Sequence, residues 1–335
     1  MSKIVTVAGV ALRVPECPPS LTHMIPAFEH YVEQGDEMKA LALAYKYRTP
    51  AMLIGTHGAG KNAAIREFAR RIGAPLMTAS LSEGTTTDHL IGAPQPTPVM
   101  NGEDQEKGFT ITWLDGVLTT ALRAGAILNL DEPNAADNRT LMRLADFLAN
   151  GQRLSLYENP LNPAETISPK DEDGEWNGFF LVLTANPTDN GMYADRQRMD
   201  EAFLDRLAVH HMDYLGIRNP EAEIDAVEAA SGADREIVSK LIALFNMIRK
   251  QSRMTDEELA ASQAPPLYST ASTRAAIMVA RFSTEVPIAD AFELGYLNKV
   301  TGDDRVVIHR LFLEFFADPE MLDNAAGEVK PEAEF

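Results

Sequence analysis

Cysteine is almost missing: Cys17 is the only one in 335 residues. An internal disulfide is therefore excluded, as is a cysteine cage for a metal, and a reducing, cytoplasmic setting fits. Basic runs are lacking too. None is longer than Arg70-Arg71, and the formal net charge is -19. A field of that sign repels phosphate backbones and argues against sequence-general nucleic-acid binding. No run of apolar residues is long enough to read as a membrane span. The first fourteen or so residues, broken by Lys3 and Arg13, lack the apolar core expected of a signal peptide. Internal repeats and low-complexity blocks do not occur.

What is present is ordinary globular composition, 45% hydrophobic and 24% charged, in a chain long enough for two domains that each bury a core. Residues 1–24, with Pro15, Pro18 and Pro19, read as a short extension with a loop. Over 25–214, apolar strand-like runs alternate with helical patterns, the mark of a mostly parallel sheet with helices on its faces. The strand candidates are Ala51–Ile54, Pro75–Ala79, Ala126–Leu130, Phe179–Ala185 and Leu207–Met212. Dense Asn, Pro, Asp and Gly between 156 and 178 predict a hairpin or long loop. Over 215–317 the texture turns helical. Asn219-Pro220 opens one helix, Asp234 caps the next, and a further helix is expected over Thr273–Phe282. Residues 318–335 are acidic and poor in apolar side chains, which reads as a disordered tail.

The run Gly55-Thr56-His57-Gly58-Ala59-Gly60-Lys61 carries the sharpest chemical signal. A short apolar strand precedes it, and Ile65, Phe68, Ala69 and Ile72 follow at helical spacing until Gly73. In that context the glycines let backbone N–H groups turn around an anion, the helix N-terminus adds partial positive charge, and Lys61 supplies a full one. The chain is thus expected to bind a nucleoside triphosphate. Position 62 would ordinarily be Ser or Thr, whose hydroxyl ligates Mg²⁺; here it is Asn62. Its amide oxygen is also a hard, neutral ligand, but one bond further from the backbone. Binding of Mg²⁺ is then either weakened or bridged through water.

A phosphate loop needs a metal-positioning acid and a group that activates water. Asp131 and Glu132 end the buried-type run from Ala126, at the strand end where the ligand crevice of such sheets opens. Asp131 is the candidate for Mg²⁺ and Glu132 for the general base. Asn186 ends a neighbouring strand and could hold the attacking water or touch the γ-phosphate, though taken alone an Asn-Pro turn is the favoured explanation. Arg206 has a local pair with Asp205 as its plain explanation. Arg274 opens a helix, where a cation is disfavoured by the helix dipole, a weak hint of an anionic partner.

Together these segments resemble an AAA+ ATPase, of the branch that holds MoxR-type proteins and the ATPase small subunit of aerobic cobaltochelatase. Gly55–Lys61 is similar to Walker A, histidine included, and Leu128–Glu132 to Walker B. Thr184-Ala185-Asn186-Pro187 resembles sensor 1, Leu204-Asp205-Arg206 the arginine-finger segment, and Ser272-Thr273-Arg274 sensor 2. Thr86–Gly92 resembles the approach to the branch's insertion, Asp115-Gly116-Val117-Leu118 the run before Walker B, and Asp290–Lys299 the chelatase subunit's lid. The likeness spans about 25–316.

The resemblance implies an α/β fold, a P-loop αβα sandwich on a parallel five-stranded sheet, followed by an all-α lid. ATP would lie against Gly55 through Ala63 and Arg274, with Asn62 and Asp131 toward Mg²⁺ and Lys61, Glu132 and Asn186 at the reacting end. It implies a homo-oligomeric ring, a hexamer, with Arg206 reaching the neighbour's site and Arg196 or Arg198 as alternatives. A partner with a von Willebrand A-type domain would be remodelled or activated. Two departures stand out: Asn62, and Ala135 where MoxR-type proteins often carry Arg. The competing reading is a nucleotide-binding ring scaffold silenced by Asn62. A small-molecule kinase is a third, disfavoured by Arg206 and the helical lid.

Overall fold

The computed structural model describes residues 2–100, 106–187 and 199–316. Ala8 and Gly9 both have positive φ, 46° and 78°, the backbone of a two-residue hairpin turn. They join β1 (Ser2–Val7) to β2 (Val10–Pro15) in an antiparallel pair. Val7, Leu12 and Val14 are buried. The segment expected to be an extension with a loop is instead a hairpin packed on the core. Its alternating apolar side chains needed only the Ala8-Gly9 turn to pair, a signal overshadowed by the prolines that follow.

Next come α1 (Glu37–Tyr47), β3 (Ala51–Gly55), α2 (Lys61–Ile72), β4 (Leu76–Ser80) and the short α3 (Thr87–Leu90). A hairpin of β5 (Gly92–Met100) and β6 (Glu106–Asp115) leads to α4 (Val117–Ala124) and β7 (Ile127–Asp131). Then α5 (Asn138–Ala149), the short antiparallel pair β8 (Leu154–Ser155) and β9 (Thr166–Ile167), β10 (Phe180–Ala185), α6 (Glu201–Leu204) and β11 (Ala208–Met212) follow.

Five strands form one sheet in the order β11-β3-β10-β7-β4, all neighbours parallel. Successive side chains on a strand point to opposite faces, and here both faces are covered. Ala51, Leu53, Ile127, Phe180 and Val182 pack with α1, α2 and the β1–β2 hairpin. Met52, Leu128, Leu130, Leu181 and Leu183 pack with α4 and α5. Burial on both sides explains why these strands read as apolar runs. Each expected strand is present, its ends displaced by at most one residue. At its C-terminal end β3 lies so close to β11 that a Cβ on Gly55 would run into the Met212 carbonyl.

The remaining elements are helical: α7 (Leu215–Arg218), α8 (Pro220–Ser231), α9 (Arg235–Gln251), α10 (Asp256–Ser262), α11 (Thr273–Phe282), α12 (Ile288–Gly295) and α13 (Gly302–Phe316). Side chains of Asn219, Asp234 and Ser272 cap α8, α9 and α11 by accepting first-turn N–H bonds. These helices enclose a core of their own, with Leu241, Phe245, Val279, Phe292 and Ile308 at its centre. The chain thus divides into two units: one runs to Met212, and the second starts at Asp213 and takes in the loop residues His57–Ala59. The expected tail, and the alternatives Arg196 and Arg198, lie outside the described residues. Among the described residues no helix is long and apolar enough to cross a membrane.

Candidate functional site

The loop between β3 and α2 is built for an anion. Gly58 and Gly60 hold φ of 79° and 87°, the left-handed region that a side chain disfavours. Gly60 is also the N-cap of α2. No side chain caps that helix and no acid sits in its first turn, so no first-turn carboxylate offsets the partial positive charge of its N-terminal end. Thr56 adds a buried hydroxyl that has no hydrogen-bond partner. An uncapped helix end, two left-handed glycines and an orphaned hydroxyl on one loop fit a polyphosphate.

Lys61 is buried at the start of α2. Its Nζ donates to the carbonyls of Gly55 (2.7 Å) and Thr56 (3.1 Å) and to Asn186 Oδ1 (3.0 Å). Asn186, just beyond β10, donates its own Nδ2 to Glu132 Oε1 at 2.8 Å. One amide therefore links the loop lysine to the acid that follows β7. Pairing of Thr184 with Asp131 and of Ala185 with Ile54 sets this juxtaposition, because it brings the C-terminal ends of β7, β10 and β3 level. Glu132 itself has φ 55° and ψ 51°, and its N–H donates to the Thr184 carbonyl at 2.8 Å.

Beside this chain lies a second, wholly polar cluster. Thr184 Oγ1 donates to Asp131 Oδ1 at 2.5 Å, and Asn62 Nδ2 donates to Asp131 Oδ2 at 2.9 Å. Asn129 Nδ2 donates to Asn62 Oδ1 at 3.0 Å. The Asp131 carboxylate, a hard oxygen donor, fits Mg²⁺; the group that Asn62 turns toward it is an N–H. Asn129 and Thr184 were not among the expected site residues. Their signal was a lone polar side chain in an otherwise apolar buried strand, and both are buried here, with Asn129 Oδ1 left without a partner.

Lys61, Asn62, Asp131, Glu132 and Asn186 thus come together. Ala63 follows in the first turn of α2. His57, exposed at the loop tip, accepts through its carbonyl from the Tyr214 hydroxyl at 3.0 Å. Arg206 is not brought into this cluster, and Arg274 belongs to the second unit. Arg206 is exposed after α6 and donates back to the Ala202 carbonyl. Arg274 is exposed in the first turn of α11. Ala135 is buried in the short turn after Glu132.

A model of the AAA domain of the dynein-related subfamily matches residues 50–207. Residues 50–207 thus carry an AAA-type ATPase domain, and the chain is similar to MoxR-type AAA+ ATPases. Protein CbbQ of Hydrogenophilus thermoluteolus is 29% identical to it over 224 residues, covering 66% of this chain and 73% of CbbQ. Protein NorQ of Paracoccus denitrificans is 29% identical over 223 residues, 65% of this chain and 72% of NorQ. Over a longer stretch, the aerobic cobaltochelatase subunit CobS of a Sinorhizobium species is 23% identical across 307 residues, 89% of this chain and 84% of CobS. In this ATPase the matched region runs from just before β3 to just before β11, so all the clustered residues fall inside it.

Proposed function

We propose that this ATPase hydrolyses Mg-ATP at the interfaces of a homo-oligomeric ring, a hexamer, in the cytoplasm, and uses the turnover to remodel or activate a partner protein. The resemblance to the cobaltochelatase subunit makes a partner with a von Willebrand A-type domain the first candidate. The observation that supports the reading is the Lys61–Asn186–Glu132 series, in which one amide joins the lysine expected to bind phosphate to the acid expected to act as base.

In this reading Gly55 through Ala63 cradle the triphosphate and Lys61 leaves the loop carbonyls for the phosphate oxygens. Asp131 would hold Mg²⁺, which supplies neutralisation of the charge on the transferred phosphoryl group. Glu132 takes the proton of the attacking water, and Asn186 keeps that carboxylate aimed. Arg206, exposed and donating to the Ala202 carbonyl of its own helix, would serve another subunit. Arg274 would report nucleotide state from the second unit.

The direct test is steady-state ATP hydrolysis by the wild type and Glu132→Gln. The motor reading expects turnover that the variant loses by at least about a hundredfold, the lower range for a positioned base, with nucleotide binding retained. Wild-type turnover no better than the variant's would support the scaffold reading, which the engagement of Asn62 with Asp131 keeps in play.

A further inference from the structure

We infer that Asn62 is a hydrogen-bond clamp on Asp131 and not a metal ligand, so that nucleotide binding by this chain depends little on Mg²⁺. The inference deepens the ATP-site reading above and rests on it.

The orientation of the amide follows from chemistry. An ionised carboxylate only accepts hydrogen bonds. Whichever atom of Asn62 faces Asp131 at 2.9 Å must therefore be the nitrogen. That turns Oδ1, the one atom of Asn62 able to ligate a cation, toward Asn129, whose Nδ2 donates to it at 3.0 Å. Asn129 is 1% exposed on β7, so no water competes for that bond. The other Asp131 oxygen is taken by Thr184 at 2.5 Å. The Asn62 amide thus turns its donor to the acid, while its acceptor takes the Asn129 N–H and has the Thr184 hydroxyl 3.4 Å away.

For Asn62 to ligate Mg²⁺, its oxygen must turn to the acid's side. Turning the amide alone sets its N–H₂ against the N–H₂ of Asn129, donor on donor, in a buried place. The orphaned Asn129 Oδ1 could relieve that clash only if both amides turned together, and Asn129 would then send its N–H₂ into the position where its oxygen now finds no partner. A Ser or Thr hydroxyl has no such constraint, since its single proton rotates freely between acceptor and solvent. Mg²⁺ also tolerates little departure from octahedral geometry and keeps its waters readily. Mg²⁺ would then stay with the phosphates, with Asp131 as the residue toward it, and loop N–H groups and Lys61 would hold the triphosphate.

The test is binding of a fluorescent ATP analogue to the full chain, in excess Mg²⁺ and in excess EDTA, for the wild type and Asn62→Thr. Asn62→Ser stands in if the added methyl perturbs folding. The wild type is expected to change affinity by less than about threefold between the two buffers, and the variant by about tenfold or more, tighter with Mg²⁺. A wild-type affinity that falls tenfold in EDTA would overturn the clamp and leave the nucleotide site standing. A variant no more Mg²⁺-dependent than the wild type would overturn it as well, since Asn62 would then not be the cause. Absence of binding in both buffers would overturn the nucleotide reading, and this inference with it.

Discussion

Glu132 occupies the left-handed region of backbone space, where a residue with a Cβ is strained by about 1 kcal/mol or more. Nothing in its spelling announces this; the motif around it did announce its carboxylate. The same division holds across the site. Lys61, Asp131 and Glu132 were legible because glycine spacing and a strand end place them. Asn129 and Thr184 were not, because a lone polar residue in an apolar run gains meaning only when the register of neighbouring strands sets it beside an acid. Glu67 is a purely structural acid of the same kind. It accepts from Arg70 at 2.7 and 2.8 Å and from Arg71 at 2.7 Å. The hydrogen bond from Arg70, with that from Arg71 added, holds its carboxyl below its usual range against the opposing effect of burial. A carboxyl lowered on folding stabilises the protein fully above the unfolded value of about 4.3, and the gain is lost as pH falls through the lowered folded value. Glu67→Gln should therefore lower the melting temperature at neutral pH and lose less on acidification than the wild type does. Melting curves at neutral pH and near pH 3 decide it, and equal acid slopes in the two proteins would remove Glu67 from the account.

Among the elements, α8, α9 and α11 were foreseen from Asn219-Pro220, Asp234 and the stripe after it, and the run from Thr273. What the sequence concealed is how they are tied. Arg249 of α9 and Glu223 of α8 are both fully buried. They pair through two bonds of 2.7 and 2.9 Å, while Arg249 Nε donates to the Ala271 carbonyl at 2.6 Å. Thr273 donates to Glu223 at 2.5 Å, and the guanidinium lies 4.4 Å from the Tyr214 ring. The N-terminal end of α11, which carries Arg274, is thus held by a buried ion pair. Breaking such a pair leaves the survivor charged in a low-dielectric place at a cost of about 3–5 kcal/mol. Glu223→Ala should lose that much in denaturant unfolding, and Glu223→Leu with Arg249→Met should recover most of it. A loss under about 1 kcal/mol would mean that water reaches the pair. The β5–β6 hairpin escaped the sequence reading for a physical reason. Pro94, Pro96 and Pro98 speak against a strand, yet at every second position of a two-stranded hairpin they leave the N–H groups of Ala93, Gln95 and Thr97 for pairing.

For the chain as a whole, the sheet unit and the helical unit were each foreseeable from texture: alternating strand and helix patterns in one, helical stripes alone in the other. Assembly is a different matter, because one subunit does not display its neighbour. Arg206, exposed and outside the Lys61–Asn186–Glu132 series, is the residue on which the ring proposal turns. A guanidinium donated by an adjacent subunit commonly contributes about 10³–10⁵ in phosphoryl-transfer rate. Arg206→Ala should remove turnover and spare nucleotide binding. The stronger measurement mixes Arg206→Ala subunits with Glu132→Gln subunits, each inactive alone. Restored hydrolysis is expected, because a subunit with an intact base can then border one with an intact arginine. Mixtures as inert as their parents would mean that each subunit's arginine acts on its own ATP.

The tight approach of β3 to β11 carries a warning for anyone engineering this chain. Gly55 opens the phosphate loop, and alanine there would be a natural choice for a binding-deficient allele. The added methyl would collide with the Met212 backbone and wedge the outermost strand away from its neighbour, damage that a ligand-binding assay would misattribute to lost phosphate affinity. Lys61 is the safer position at which to silence the site.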